Sequence, residues 1–136
     1  MKIMPLVLGV SIVSLDMGAA LAQNSGPRSN LPLRRVGQCA NARITEIGSR
    51  LADEHNRPIP ESGSYFGVSN NLGGVSYERV PALHRSRVGD RVRICLVSIP
   101  RGCPPGDDRG REYRTTNLRT HQSWVMPDSQ HRCGGA

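Results

Sequence analysis

Residues 103–111, CPPGDDRGR, bring a cysteine, two carboxylates and two guanidinium groups together in one proline- and glycine-rich run. Its charged members are Asp107, Asp108, Arg109 and Arg111. A calcium loop needs oxygen ligands at alternating positions, whereas these two carboxylates are adjacent and have arginines beside them. The run therefore favours a rigid turn that the Asp side chains stabilise locally. We expect its charged tip to form part of a binding surface, because rigid loops on a scaffold often carry function.

The other chemically active residue types do not have the spacing of a catalytic or metal site. His121, His131 and Cys133 match no common zinc-ligand pattern, and no Gly-x-Ser-x-Gly run marks an activated serine. A glycosidase needs one selected pair of carboxylates, and the sequence selects none. We therefore predict no metal, no cofactor and no enzymatic activity, with a small secreted hydrolase as the alternative.

Positive charge comes almost entirely from arginine, since Lys2 is the only lysine and the formal net charge is +7. A basic protein is drawn to anionic surfaces and polymers, and arginine binds carboxylate or phosphate in a bidentate manner. Four arginines with alternating spacing predict a basic strand face: Arg85, Arg87, Arg91 and Arg93. Small barrels bind single-stranded nucleic acid with such a face, but they add stacking aromatic residues. Aromatic residues make up only 4% of this chain, so a basic nucleic-acid-binding barrel ranks as a lower alternative.

The N-terminal 22 residues have the pattern of a secretory signal peptide. Lys2 precedes an apolar segment, and a small-residue ALA run ends at Ala22. The apolar segment is too short to span a bilayer, so we predict cleavage before Gln23 and no membrane span. Residues 23–38 lack hydrophobic periodicity and are rich in Asn, Ser, Gly and Pro, which predicts a flexible leader before a domain at 39–136.

An even number of cysteines in an exported chain predicts disulfides and no free thiol. The four are Cys39, Cys95, Cys103 and Cys133. The Cys95–Cys103 pairing fits worst, because extended residues after Cys95 carry the chain beyond disulfide reach unless it doubles back. Of the remaining pairings, we favour Cys39–Cys95 with Cys103–Cys133, which ties an opening strand to a central one.

Alternating apolar residues between turn signals predict an all-β fold. The clearest strand is RVRICLVSIP at 91–100, where Val92, Ile94 and Leu96 share one face and Cys95 lies on the other. Residues 42–51 fit either an amphipathic helix or a bulged strand, and their β-branched residues favour the strand.

Two hairpins complete the pattern. One is predicted around NLGG at 71–74, where Asn and Gly tolerate positive φ angles, and the other over 112–127. Together these segments predict a small antiparallel barrel or sandwich of about five or six strands, held by two disulfides.

Several longer motifs resemble a group of small exported bacterial proteins of unknown function. They are VSYERV, CLVSIP, CPPGDDRGR, TTNLRT and PDSQHRCGGA, within residues 39–136. The resemblance implies export and the same cysteine framework, and it implies no activity.

Together these features predict a monomeric periplasmic or secreted protein that binds another protein or an anionic envelope polymer without catalysis. An inhibitor-like role fits, because rigid loops on a disulfide-bonded scaffold lower the entropic cost of binding.

Overall fold

A computed structural model describes residues 33–135, which form a six-stranded antiparallel sheet and one short helix. The elements in chain order are β1 (Cys39–Ala52), β2 (Pro58–Val68), β3 (Gly73–Ser76), α1 (Pro81–His84), β4 (Arg91–Ser98), β5 (Glu112–Asn117) and β6 (Ser123–Pro127). The all-β prediction is confirmed. The predicted signal peptide and residues 23–32 of the predicted leader lie outside the described residues.

The strands lie in the order β3-β2-β1-β4-β5-β6, and each pair is antiparallel. Three consecutive strands and a fourth that returns beside the first make a Greek key. The two edge strands of the sheet, β3 and β6, approach each other closely. A Cβ atom placed on Gly74 of β3 would lie only 2.8 Å from Cβ of Met126 in β6. Within residues 33–135 no hydrogen-bonded pairing joins β3 to β6. The sheet therefore curls without closing, and of the predicted barrel or sandwich the closed barrel is not confirmed.

The inner face of the curled sheet holds the core. Val92, Ile94 and Leu96 are fully buried, as the alternation along β4 predicts. Phe66 of β2 meets Trp124 of β6 edge to face, with ring centroids 5.5 Å apart. These contacts bring side chains from distant strands onto one apolar interior and leave the opposite face of β4 to solvent.

Residues 42–51 form a strand, as predicted. They belong to β1, which pairs with β4 through residues Cys39 to Arg43 and with β2 farther along. The register shifts between Ile44 and Glu46, which is the signature of a bulge, and a bulge bends the strand. This bend allows β1 to pair with β4 along its first part and with β2 along its second part.

Both predicted disulfides are present. Cys39 and Cys95 lie directly opposite each other on β1 and β4, with Cα atoms 4.0 Å apart. Cys103 and Cys133 have Cα atoms 5.2 Å apart and tie a loop to the C-terminal segment. No cysteine is free, which is typical of proteins that fold in an oxidising extracellular or periplasmic compartment.

The packed domain extends beyond its predicted N-terminal limit at Cys39. Leu33 is buried in the core, and the Gly37 N–H donates to the Leu96 carbonyl at 2.8 Å. Residues 33–38 of the predicted leader therefore belong to the fold. A single apolar residue has no periodicity, so the sequence pattern did not predict its burial.

Candidate functional site

Four exposed arginines lie on the outer face of three adjacent strands, and we call this surface the arginine face. They are Arg43 on β1, Arg91 and Arg93 on β4, and Arg114 on β5. Side chains alternate across a strand, so the burial of Val92 directs its two arginine neighbours outward. The antiparallel register then brings the strands together, with Arg43 opposite Arg91.

The positive charge of the arginine face is not neutralised by acidic side chains among residues 33–135. Residues directly opposite in an antiparallel pair have Cβ atoms about 4.5–5.5 Å apart, and like charges there are destabilising. The Arg43 guanidinium donates to the Gly89 carbonyl at 3.0 Å, and no ion pair within residues 33–135 includes a member of the face. Glu112 lies two positions before Arg114 in the same strand, at one end of the face.

The surroundings of the arginines are aliphatic and hydroxylic. Thr116 and Ser123 share a hydrogen bond of 2.7 Å, and Val125 lies opposite Arg114. The nearby aromatic residues Tyr113 and Trp124 are buried on the inner face. The outward positions of β4, β5 and β6 therefore offer guanidinium groups without aromatic stacking partners.

The predicted basic stripe is divided among different elements. Arg91 and Arg93 alternate on β4 as predicted. Arg85 is the C-cap residue that follows α1, and its Nε donates to the Gln122 side-chain oxygen at 2.9 Å. Arg87 lies in the turn before β4. Pro81 begins the helix, and Gly89 turns the chain with a φ of 93°, a conformation that glycine adopts readily. The strand consequently starts only at Arg91.

Arg43 and Arg114 are the members of the arginine face that the sequence analysis missed. Each occupies an outward position on a strand beside β4, and only the register of those strands brings it to Arg91 and Arg93. Alternation within each strand would have indicated the outward direction. It does not indicate which strands are neighbours.

The charges of the predicted binding loop, residues 103–111, are largely paired within the protein. Arg109 donates to both carboxylate oxygens of Asp107 at 2.8 Å, and the Gly134 N–H donates to the same carboxylate at 2.9 Å. These hydrogen bonds, that of Arg109 foremost, hold the pKa of Asp107 well below its usual range. Asp107 and Arg109 thus fasten the loop to the C-terminal segment.

The other two charged residues of the loop form a longer contact. Arg111 approaches Asp108 at 3.4 Å, and its side chain is only 23% exposed. Asp108 remains largely open to solvent. The loop is a rigid turn, held also by the Cys103–Cys133 disulfide, and its acids balance its arginines. A role for its tip in binding stays a prediction.

Asp90 fixes the turn from which β4 starts. Its carboxylate accepts hydrogen bonds from the Arg119 guanidinium, from the Asn117 side chain and from the Arg87 N–H. The Arg119 hydrogen bonds are the chief cause of a pKa of Asp90 well below its usual range. Arg119 is neutralised there and lies outside the arginine face, whereas Arg91 at the start of β4 has no ion-pair partner among residues 33–135.

A serine–histidine contact joins α1 to β2. The Ser64 hydroxyl lies 2.9 Å from Nε2 of His84, and it accepts the Val80 N–H at 2.9 Å. That acceptance leaves the hydroxyl hydrogen and one oxygen lone pair available, so Ser64 donates to His84 when Nε2 is unprotonated and accepts from it when Nε2 carries the proton. Ser64 is completely buried, so this geometry fastens the helix and does not present a nucleophile to substrate.

Two surface grooves include no arginine of the arginine face, although Glu112 places one of them next to its end. One is lined by Ser98, Glu112 and Arg132, among others, and the other by Glu46, Phe66, Tyr113 and Asp128 with neighbouring glycines. Neither groove is lined by a histidine. No group of three potential metal ligands forms among residues 33–135, and no helix there is long and apolar enough to cross a membrane.

Comparison with family models, with curated proteins and with solved structures finds no match for the chain. The resemblance to small exported bacterial proteins therefore stays a prediction.

Proposed function

We propose that the protein binds an anionic partner without catalysis and that the arginine face is its binding surface. The observation that carries the proposal is the cross-strand pair of Arg43 and Arg91, extended by Arg93 and Arg114, with no described carboxylate in ion-pair contact. Like charges placed directly opposite cost stability. Anionic groups of a ligand would offset that cost, because they would lie between the guanidinium groups.

The spacing of the arginines favours a ligand with repeated negative groups. Neighbouring strands lie about 4.8 Å apart, and outward positions along one strand repeat at about 6.6–6.8 Å. A single small anion would need a pocket to enclose it, and neither groove includes a member of the arginine face. An extended polyanion or a charged surface can contact several guanidinium groups at once, each in the bidentate manner that arginine favours.

Export supplies the setting for such a partner. The two disulfides are typical of an oxidising compartment, and the N-terminal 22 residues have the signal-peptide pattern. We infer that the mature protein acts in the periplasm or outside the cell, where its anionic partner is a component of the envelope.

The test is titration of the oxidised mature protein, residues 23–136, with fluorescent heparin as a soluble polyanion. The variant Arg91→Gln/Arg93→Gln removes half of the arginine face. We expect its affinity to fall about tenfold or more and the slope of log affinity against log salt to become shallower, because fewer counterions are released.

The matched control is Arg79→Gln/Arg101→Gln, which removes the same charge from exposed positions outside the arginine face. We expect its affinity to stay within about twofold of the wild type, since these positions would not contact the polyanion. Equal losses in the two variants would mean that net charge alone attracts the polyanion, and the proposal would fail.

A further inference from the structure

Exposed aliphatic side chains accompany the arginines on the same outer face. Val125 of β6 lies opposite Arg114 and is 46% exposed. Leu118 follows β5, its N–H donates to the Arg91 carbonyl at 2.9 Å, and it is 40% exposed. Buried Asn117 pairs with Val92, and the Leu118 hydrogen bond continues this ladder one position past the end of β5, so Leu118 lies on the same outward side as Arg91. Two of the arginines thus have an exposed aliphatic neighbour on an adjacent strand segment.

The shape and composition of the face disfavour a nucleic acid. Proteins that bind single strands combine a basic groove with aromatic side chains on which the bases stack. The arginine face contains no part of either groove, and Tyr113 and Trp124 are buried on the other side of the sheet. A single-stranded nucleic acid could contact the arginines of this face, but its bases would have no aromatic side chain on which to stack.

A lipid surface matches both kinds of side chain. Anionic headgroups supply phosphates in a plane, and the hydrocarbon boundary lies directly beneath them. Peripheral binding strength grows with electrostatic attraction and with the apolar area that enters this boundary. Arginine side chains are longer than those of Leu118 and Val125, so the guanidinium groups would fold back toward the sheet to stay at phosphate level, and the two aliphatic side chains would then contact the upper acyl chains.

We infer that the partner of the arginine face is the surface of an anionic phospholipid bilayer, against which the protein lies peripherally. The inference rests on the proposed function, because it uses the same four arginines. It adds a role for Leu118 and Val125 that binding to a soluble polyanion does not require. That difference separates the two ideas in experiment.

The test is co-sedimentation of the oxidised mature protein with vesicles of equal parts phosphatidylglycerol and phosphatidylcholine, compared with pure phosphatidylcholine. We expect binding only to the anionic vesicles. Each arginine near such a surface contributes about a fivefold factor in partitioning, so Arg91→Gln/Arg93→Gln should reduce binding about 25-fold.

The discriminating variant is Leu118→Thr/Val125→Thr, which keeps every charge. We expect about a tenfold loss of vesicle binding, because less apolar surface enters the bilayer boundary, with heparin affinity within about twofold of the wild type. Leu51→Thr removes an equally exposed aliphatic side chain outside the face and should leave vesicle binding unchanged. Circular dichroism melts establish that each variant is folded.

Two results would overturn the lipid inference: unchanged vesicle binding by Leu118→Thr/Val125→Thr, or no binding of the wild type to anionic vesicles. The proposed function would still stand in either case if heparin bound as expected. Tighter binding to single-stranded DNA than to anionic vesicles would also overturn it. Loss of discrimination between the arginine variants and their control in the heparin titration would instead remove the proposed function.

Discussion

The Asp90 carboxylate accepts two hydrogen bonds of 2.8 Å from the Arg119 guanidinium, across 29 positions of sequence. A third comes from the side chain of Asn117, which is fully buried. Because the side chain of Asp90 is only 9% exposed, its charge depends on these donors instead of water. The contact holds the start of β4 against the end of β5, and so it positions the strand that carries Arg91 and Arg93.

Replacing Asp90 should therefore destabilise the protein without removing any charge from the arginine face. We expect Asp90→Asn to lower the free energy of unfolding by about 1–3 kcal/mol, the usual cost when a buried polar contact loses its partner. Urea denaturation measures the change. The exposed Asp108→Asn should stay within about 0.5 kcal/mol of the wild type, and equal effects of the two variants would contradict the buried role of Asp90.

His84 should make stability depend on pH. Burial, with a smaller contribution from Arg79, lowers the pKa of His84 below its ordinary value of 6.5. The unfolded chain therefore binds a proton more readily than the folded protein does. The stability contributed by neutral His84 is fully present above pH 6.5 and is lost as the pH falls through the lower folded pKa.

Thermal melts between pH 7.5 and 4.5 test this dependence. We expect the melting temperature to decline below pH 6.5 in the wild type and to decline less steeply in His84→Gln, which cannot take up the proton. His55→Gln changes an exposed histidine and should retain the wild-type slope. Parallel profiles of melting temperature against pH for all three proteins would show that groups other than His84 cause the loss of stability at acid pH.

The sequence predicted local features of the fold and missed long-range ones. Alternation along β4 correctly placed Val92, Ile94 and Leu96 in the core, because a period of two is a property of one strand. The membership of Arg43 in the arginine face depends on the register between β1 and β4. Register follows from packing of the whole sheet, so no single segment encodes it.

The cysteines illustrate the same division. Their number predicts two disulfides, and chain reach disfavours one of the three pairings. The choice between the other two rested on a preference for joining the opening strand to the central one. The burial of Leu33 and the contact of Asp90 with Arg119 carried no local signal at all. Both depend on which distant segments the Greek key brings together.

The two disulfides should differ in their effect on binding. Replacing either pair by serine should cost about 2–5 kcal/mol in unfolding free energy, measured by chemical denaturation. Cys39–Cys95 lies on the outer face between β1 and β4, so its loss should also weaken heparin binding. Cys103→Ser/Cys133→Ser should bind heparin normally at temperatures where it stays folded, and equal binding losses would mean that global stability alone controls the interaction.

The pairing of Arg109 with Asp107 and of Arg111 with Asp108 weighs against the binding role predicted for loop 103–111 from the sequence, so we expect these arginines to contribute to loop order instead of polyanion binding. We expect Arg109→Gln/Arg111→Gln to keep the wild-type heparin affinity. Hydrogen exchange should accelerate at the N–H groups of Cys133 and Gly134, which bond to the loop at the Arg109 carbonyl and the Asp107 carboxylate. A tenfold loss of heparin affinity with unchanged exchange would place the binding surface on this loop.

The substitution Arg43→Glu should stabilise the fold and impair binding at the same time. The introduced carboxylate would face Arg91 directly across the β1–β4 ladder. An opposite-charge pair contributes about 0.2–1 kcal/mol relative to two alanines, and the like-charge pair that it replaces is destabilising. The melting temperature should therefore rise slightly, although the hydrogen bond from Arg43 to the Gly89 carbonyl is lost. Heparin affinity should fall about tenfold or more, because one cation is removed and a second is neutralised.

Arg101→Glu gives the matched control, since it makes the same change in net charge at an exposed position outside the arginine face. It should alter neither the melting temperature nor the affinity by a comparable amount. If only Arg43→Glu gains stability and loses heparin affinity, the wild-type arginine at this position destabilises the fold and strengthens binding. If Arg43→Glu instead loses more stability than the roughly 0.5–1.5 kcal/mol that the hydrogen bond to Gly89 contributes, the like-charge pair is not a source of instability, and the argument that a ligand offsets it fails.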